Sequence, residues 1–321
     1  MPMSILRRLP LLRPARHPSL EPSMARSIKL VGAIALAATA ACSTDPISPS
    51  NISAARHTAN IAEASTNSVV VTESDIARQP DNTFPTRTWV FYISGPTPTG
   101  VFVSGPGNPP LGVGSFEMGT VVNADHGTLF NFEHVGTRLA DISAISYATY
   151  RVQTSSGPSY ILPSINIAVD KNGPPWVSGD FTTLVFEPVY NPDQGSVTAG
   201  AWQTWHGIPG IWWSTRDMNG VTARATYSWS YIVGQNPDAT ILGGFGVNQG
   251  SGSGGLLAAT DALTLGVSGT TWIYNFEPFR SPTTKDDCKN GGWENVKAAD
   301  GSSFKNQGQC IKYVHEHSDE P

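Results

Sequence analysis

From Thr88 to Val267 the chain is a succession of short β-prone runs cut by glycine, proline and asparagine, and this punctuation is what most restricts its fold. The first runs are "TWVFYIS" (88–94), "GVFVSG" (100–105), "GSFEMGTV" (114–121) and "LFNFEHV" (129–135). "AISYATYRV" (144–152), "SINIAVD" (164–170) and "FTTLVFEPVY" (181–190) follow. "AWQTW" (201–205), "IWWST" (211–215), "TILGGFGVN" (240–248) and "DALTLGV" (261–267) complete the set. Runs of this length between turn formers read as strands. About ten of them without intervening amphipathic helices predict an all-β, antiparallel sandwich. The one helical stretch is "SWSYIVGQNPDA" (228–239), with Ser228 as N-cap, Trp229, Ile232 and Val233 on one face, and Pro237 as the stop. Composition agrees: 39% hydrophobic and 14% charged residues, with 32 Gly and 25 Pro, suit a folded, turn-rich protein better than a disordered one.

The ends of the chain read differently. From Met24, "MARSIKLVGAIALAATAACS" joins basic Arg26 and Lys29 to an apolar run (30–38) and then small residues. That run is too short to span a bilayer and has the size of an export-signal core. Residues 1–41 are therefore assigned to a signal and upstream extension. Residues 42–81, rich in Ser, Thr, Asn and Ala, are assigned to a tether with a reach of about 35 Å, and "SVVVTE" (68–73) is read as part of it. The sandwich is placed at 82–282 and a separate tail at 283–321. The net charge is −5 and no Lys/Arg cluster occurs in the sandwich, so nucleic acid is not an expected partner.

Three resemblances bear on this reading. "TAAC", ending at Cys42, resembles the lipobox of bacterial lipoproteins, although Thr39 stands where leucine is usual. The resemblance implies lipid attachment at Cys42 and a membrane anchor in the bacterial cell envelope, with ordinary signal cleavage and release as the alternative. Cys288 and Cys310 are the two cysteines that then remain, an even pair suited to a disulfide in an oxidising compartment. Such a bond would stabilise the tail by roughly 3 kcal/mol on chain-entropy grounds. "KDDCKNGGW" and "FKNQGQC" in that tail resemble a short C-terminal module of secreted bacterial proteins, which implies export and a disulfide. "PPLGVGSFEMGT", "LADISAISYATY", "TTLVFEPVY" and "ILGGFGVNQGSG" resemble secreted bacterial domains of jelly-roll type. That architecture is shared with carbohydrate-binding modules and concanavalin-like lectins. It implies a fold more than a ligand.

Four of the nine tryptophans fall in "WQTWHGIPGIWWS" (202–214). Side chains alternate along a strand, so Trp202 and Trp205 face opposite ways, as do Trp212 and Trp213. At most half of the four rings then share one core. In "SYATYRV" the same alternation separates Ala148, Tyr150 and Val152 from Tyr147, Thr149 and Arg151, the second set being the more polar. In "SINIAVD" it separates Ile165, Ile167 and Val169 from Asn166, Ala168 and Asp170. In "FTTLVFEPVY" Glu187 lies opposite Leu184 and Phe186. If these strands adjoin, Trp205, Gln203, Glu187, Asp170, Asn166 and Arg151 form a candidate sugar-binding face, with Trp205 as the exposed ring and Trp202 as the core ring. The bland reading is the solvated outer face of any sandwich, with the rings packed under loops.

Other chemistry is less well supplied. "VDKNG" (169–173) makes Asp170 and Asn172 weak candidates for a structural calcium, with Asp180, Asp193 and Asp261 as possible partners. The segment is also a good turn, and no other cofactor is expected. "GSGSGG" (250–255) matches a phosphate-loop pattern without the βαβ unit that gives it meaning. Glu187 and Asp170 would be the carboxylates of a glycosidase if they stood about 5–9 Å apart. The expectation is an exported, lipid-anchored glycan-binding protein without catalytic activity. A surface adhesin or scaffold that binds protein is the second reading, and a glycan-active hydrolase the third. Cys42→Ala should release the protein into the soluble fraction and abolish fatty-acid labelling; unchanged membrane partitioning would refute the anchor.

Overall fold

The computed structural model describes residues 65–317. The segment read as an export signal, Cys42 and the first part of the expected tether lie outside the described residues. The chain first forms β1 (Ser65–Val71), β2 (Ile76–Pro80), β3 (Trp89–Ser94), β4 (Thr99–Ser104) and β5 (Gly114–Thr120). Then come β6 (His126–Asn131), β7 (Ile142–Arg151), β8 (Ser164–Asp170), β9 (Phe181–Phe186) and β10 (Trp202–His206). β11 (Ile211–Ser214) and β12 (Thr226–Ser228) precede helix α1 (Trp229–Gln235). β13 (Thr240–Gln249), β14 (Leu256–Val267) and β15 (Thr270–Phe276) follow, and helix α2 (Gln307–His317) lies in the tail.

Two sheets result, and the fold is the expected all-β sandwich. The second has eight strands in the order β12-β11-β9-β8-β13-β6-β3-β2. The first has seven, with β1-β15-β14-β5-β4 on one path and β7 and β10 added beside β14. Chain-neighbours such as β5 and β6, β7 and β8, or β13 and β14 sit in different sheets. The chain is therefore wound between the layers, as in jelly-roll connectivity. Phe116, Tyr147, Trp205, Leu263 and Phe276 from the first sheet meet Phe91, Ile167, Phe186, Trp212 and Phe245 from the second in one buried core. Each such side chain contributes about 1.5–3 kcal/mol by leaving water. Helix α1 forms where expected: the Ser228 hydroxyl accepts from Tyr231 N, Trp229 and Ile232 are buried, and the helix ends before Pro237.

Part of the supposed tether is structural. β1 lies parallel to β15 from Ser65↔Thr270 to Val71↔Phe276, and β2 lies parallel to β3. The sandwich thus starts at residue 65, not 82, and two of its edge pairings are parallel. Buried Val71 and Ile76 belong to the core, and that apolar burial is what the polar residues around them concealed. Between them the Asp75 carboxylate accepts from Thr72 N at 2.8 Å and from the Thr72 hydroxyl at 2.9 Å. This tight turn carries the chain from one sheet to the other.

β14 is the strand on which the first sheet depends. Its first half, 256–260, pairs with β5; its second half, 263–267, pairs with β15; β7 runs along its other edge. β5 and β15 therefore share one edge of a single strand and must part at its middle. The parting falls at Asp261, beside Ala262 with φ 53° and a register shift against β7. The buried Asp261 carboxylate accepts from Phe276 N at 3.1 Å and Leu111 N at 3.0 Å, so it ties β15 and the 105–113 loop to the fork.

The tail is a small folded unit of its own. Cys288 and Cys310 are disulfide-bonded, and both pack with Ala298, Phe304 and Val314. It joins the sandwich through a bridge between Arg280 and Val296 and through Lys297 N, which donates to Arg280 O at 3.0 Å.

Burial pushes the Asp261 carboxyl up to about 7, against the amide bonds that favour its charge, and the nearby Glu277 adds to the rise. A carboxyl raised on folding supports the fold fully below its unfolded value and loses that support as pH climbs through its folded value. For a shift of this size the loss is on the order of 4 kcal/mol between about pH 4 and 7. Asp261→Asn should lower stability at pH 4, because the protonated oxygen of the acid can still accept a backbone N–H and the amide nitrogen cannot. It should also flatten the pH 4–7 slope of urea midpoints relative to wild type. An equal slope in both proteins would refute the assignment.

Candidate functional site

The predicted platform is not where strand polarity put it. Trp205 is completely buried, and its indole Nε1 donates to the Thr149 hydroxyl at 2.8 Å. Trp202 is the half-buried ring on the outer side of the first sheet, beside Tyr150, with Nε1 donating to Pro106 O at 2.8 Å. The two assignments are therefore reversed. The cause lies in β7, where the more polar set, Tyr147, Thr149 and Arg151, faces inward. Each has a partner there: Tyr147 donates to Pro163 O, Thr149 accepts from Trp205, and one terminal nitrogen of the Arg151 guanidinium donates to Gly157 O, although its Nε stays unpaired. A polar group with an internal partner is not driven to the surface.

Three more predicted residues lie away from one another. Arg151 is buried and staples a loop. Gln203 is half-buried at the edge of the first sheet, where it bonds Thr198 N and Ser196 O. Asp170 is buried and accepts from Asn172 N at 3.2 Å, as in an ordinary turn. Ser164, not Asp170, is the β8 residue level with Glu187, because Ile165 pairs with Phe186 and Asp170 with Phe181. Six residues of strand separate Asp170 from that level, about 20 Å at 3.3 Å per residue. That is too far for these two acids to act as a glycosidase pair. Asp261, once a possible calcium partner, is committed to the fork in β14. Among the described residues no three acids, histidines or cysteines gather to hold a metal.

Glu187 and Asn166 do come together, on the outer face of the second sheet. The register Trp213↔Val185, Val185↔Asn166, Asn166↔Gly246 and Gly246↔Phe130 sets one row across five strands. Glu187, Ser164, Asn248 and Thr128 form the next row. Four inter-strand steps of about 4.8 Å make the first row roughly 19 Å long, and three make the second roughly 14 Å. A groove of about 410 Å³ lies over these rows, lined among others by Trp213, Glu187, Asn166, Ser164, Asn248 and His126. The "GSGSGG" turn forms one wall through Gly250, Ser251 and Ser253. At the far end, a Cβ at Gly244 would stand 2.2 Å from Cγ of Phe130, so glycine there lets this ring lie over β13.

Hydrogen bonds hold the groove in shape. Trp213 Nε1 donates to the Glu187 carboxylate at 2.7 Å. Asn248 Oδ1 accepts from the Thr128 hydroxyl at 2.7 Å and lies 2.6 Å from His126 Nε2. The Ser164 hydroxyl donates to Asn166 Oδ1 at 2.9 Å. Burial raises the Glu187 carboxyl above the usual carboxylate range, and the Trp213 N–H opposes that rise. Glu187 is the one carboxylate of the lining, which includes no lysine or arginine. The arrangement offers a half-exposed ring, a positioned carboxylate, two amides, hydroxyls and an imidazole along one line.

No protein-family model, curated protein or solved structure matches the chain. What defines the class is therefore the fold and this face: a two-sheet β-sandwich with an aromatic-flanked polar groove on one outer surface.

Trp213, Ser164, Asn248 and His126 were not singled out from the sequence as site residues. Alternation had already placed Trp212 and Trp213 on opposite faces, so one signal was present; the other three depend on long-range register. Trp205→Ala should destabilise the sandwich by about 3–5 kcal/mol, as loss of a core aromatic does. Trp213→Ala should cost under about 1.5 kcal/mol, since its ring is already partly wet. Urea denaturation of both variants checks this, and equal losses would contradict the burial assigned to the two rings.

Proposed function

We propose that the protein binds glycan in the groove beside Trp213. The observation that carries this is a half-exposed indole held by a carboxylate, Glu187, that itself heads a row of hydroxyl and amide side chains. A sugar presents an apolar C–H face to an aromatic ring and hydroxyls around its rim, so it needs both kinds of group at once. The groove supplies them on adjacent strands of a rigid sheet. It acts by binding: Glu187 has no second carboxylate beside it in the lining. On this reading the protein is exported and held at the bacterial envelope through a lipid on Cys42, a location where polysaccharide is available. The signal-like segment from Met24 and the disulfide of the tail support export.

The test is affinity electrophoresis of the full exported chain through gels containing different polysaccharides. At least one should retard the wild type. Trp213→Ala should weaken that retardation about tenfold, the worth of one aromatic contact with its burial. Trp202→Ala, on the opposite sheet, should leave it unchanged. Retardation that survives Trp213→Ala would place the ligand elsewhere, and retardation by none of the polysaccharides would refute the function.

A further inference from the structure

The face does not end at Trp213. A second recess of about 300 Å³ is lined by Tyr190, Trp213, Thr215, Arg224 and Thr226, and it shares Trp213 and Thr215 with the groove. The indole therefore stands between two hollows, one on each side. Tyr190 is 48% exposed and gives the second hollow an aromatic wall. Arg224 supplies its charge. Its backbone is held in the left-handed region, with φ 64°, and its N–H donates to Ser214 O at 2.9 Å. Its exposed guanidinium has no carboxylate partner among the described residues.

Charge is thus divided about one ring: Glu187 on the groove side and Arg224 on the other. A uniformly anionic chain would be repelled at the first, and a wholly neutral chain would leave the second unused. A guanidinium offers a planar fork of donors that fits carboxylate or sulfate oxygens in pairs. We propose that Trp213 divides one continuous glycan cleft into two subsites, and that Arg224 takes an anionic substituent of the sugar units beyond the ring. The preferred ligand is then an oligosaccharide, bound along its length, that carries a carboxylate or sulfate on the Arg224 side and uncharged hydroxyls over Glu187.

This proposal rests on the glycan reading of the groove, and the experiment separates the two. The full exported chain is titrated with neutral, uronate-containing and sulfated oligosaccharides of matched backbone, from disaccharide to hexasaccharide. Affinity should rise with length until both hollows are filled. An anionic member should bind about fivefold more tightly than its neutral counterpart, the scale of an exposed ion pair. The preference should fade with added salt, and the uronate and sulfate arms show which anion is taken. In Arg224→Gln the ratio of anionic to neutral affinity should fall to near one. A preference that persists in Arg224→Gln, or no preference for any anionic member, overturns the second subsite while leaving the groove intact. Absence of binding by every oligosaccharide overturns the glycan reading itself.

Discussion

A strand that must serve three neighbours needs a device at the point where two of them part, and in this sandwich that device is Asp261. β5 and β15 use successive halves of the same edge of β14, so each end at the fork leaves backbone donors that need acceptors. A buried N–H without one costs about as much as a lost hydrogen bond. Asp261 meets two such donors with one side chain, Phe276 N and Leu111 N. Glu277 accepts from Val113 N next to it, so two buried acids hold the same loop. That loop in turn brings Pro106 under Trp202, whose indole N–H it accepts. The cost of burying charge is accepted here because the alternative is an open seam between strands.

The strands themselves were legible and their faces were not. "SINIAVD" is β8 to the residue, and "GVFVSG", "IWWST" and "AISYATYRV" fall within a residue or two of β4, β11 and β7, because short apolar runs between turn formers have few other ways to fold. β15, "TTWIYNF", carries the same signal beyond the last expected run, with Tyr274 and Phe276 inward. β1 and β2 were hidden by their flanks: Ser, Thr and Asn at the exposed start of β1, Arg and Gln in β2. An edge strand buries only part of itself, so its composition approaches that of a linker. β6 begins at His126, three residues before its apolar run, since pairing with β3 continues through Gly127 and Thr128.

Polarity does not report exposure in β7. The inward set of β7 includes a threonine and an arginine, and no local pattern reveals that Trp205, over fifty residues later, will donate to that threonine. Glu187 and Asn166 do face outward, as alternation expects, because the apolar residues of their strands, Leu184 and Phe186 in one case and Ile165 and Ile167 in the other, are all buried. His126 and Asn248 meet only through the pairing of β6 with β13. Such a site is a property of register, and register is set by the whole core.

That dependence gives the groove its rigidity. Trp212 and Trp213 are consecutive, one in the core and one at the surface. The inner ring donates from Nε1 to Gly207 O at 2.8 Å and packs on Phe186 and Trp229. Phe186 is followed directly by Glu187, so the same contact that fixes Trp213 from beneath also fixes its carboxylate partner. Each member of the surface pair therefore stands on a buried aromatic neighbour in sequence, and those two neighbours pack against each other. A ring and a carboxylate positioned in this way lose little freedom when a ligand arrives, so less of the contact energy is spent on ordering the site.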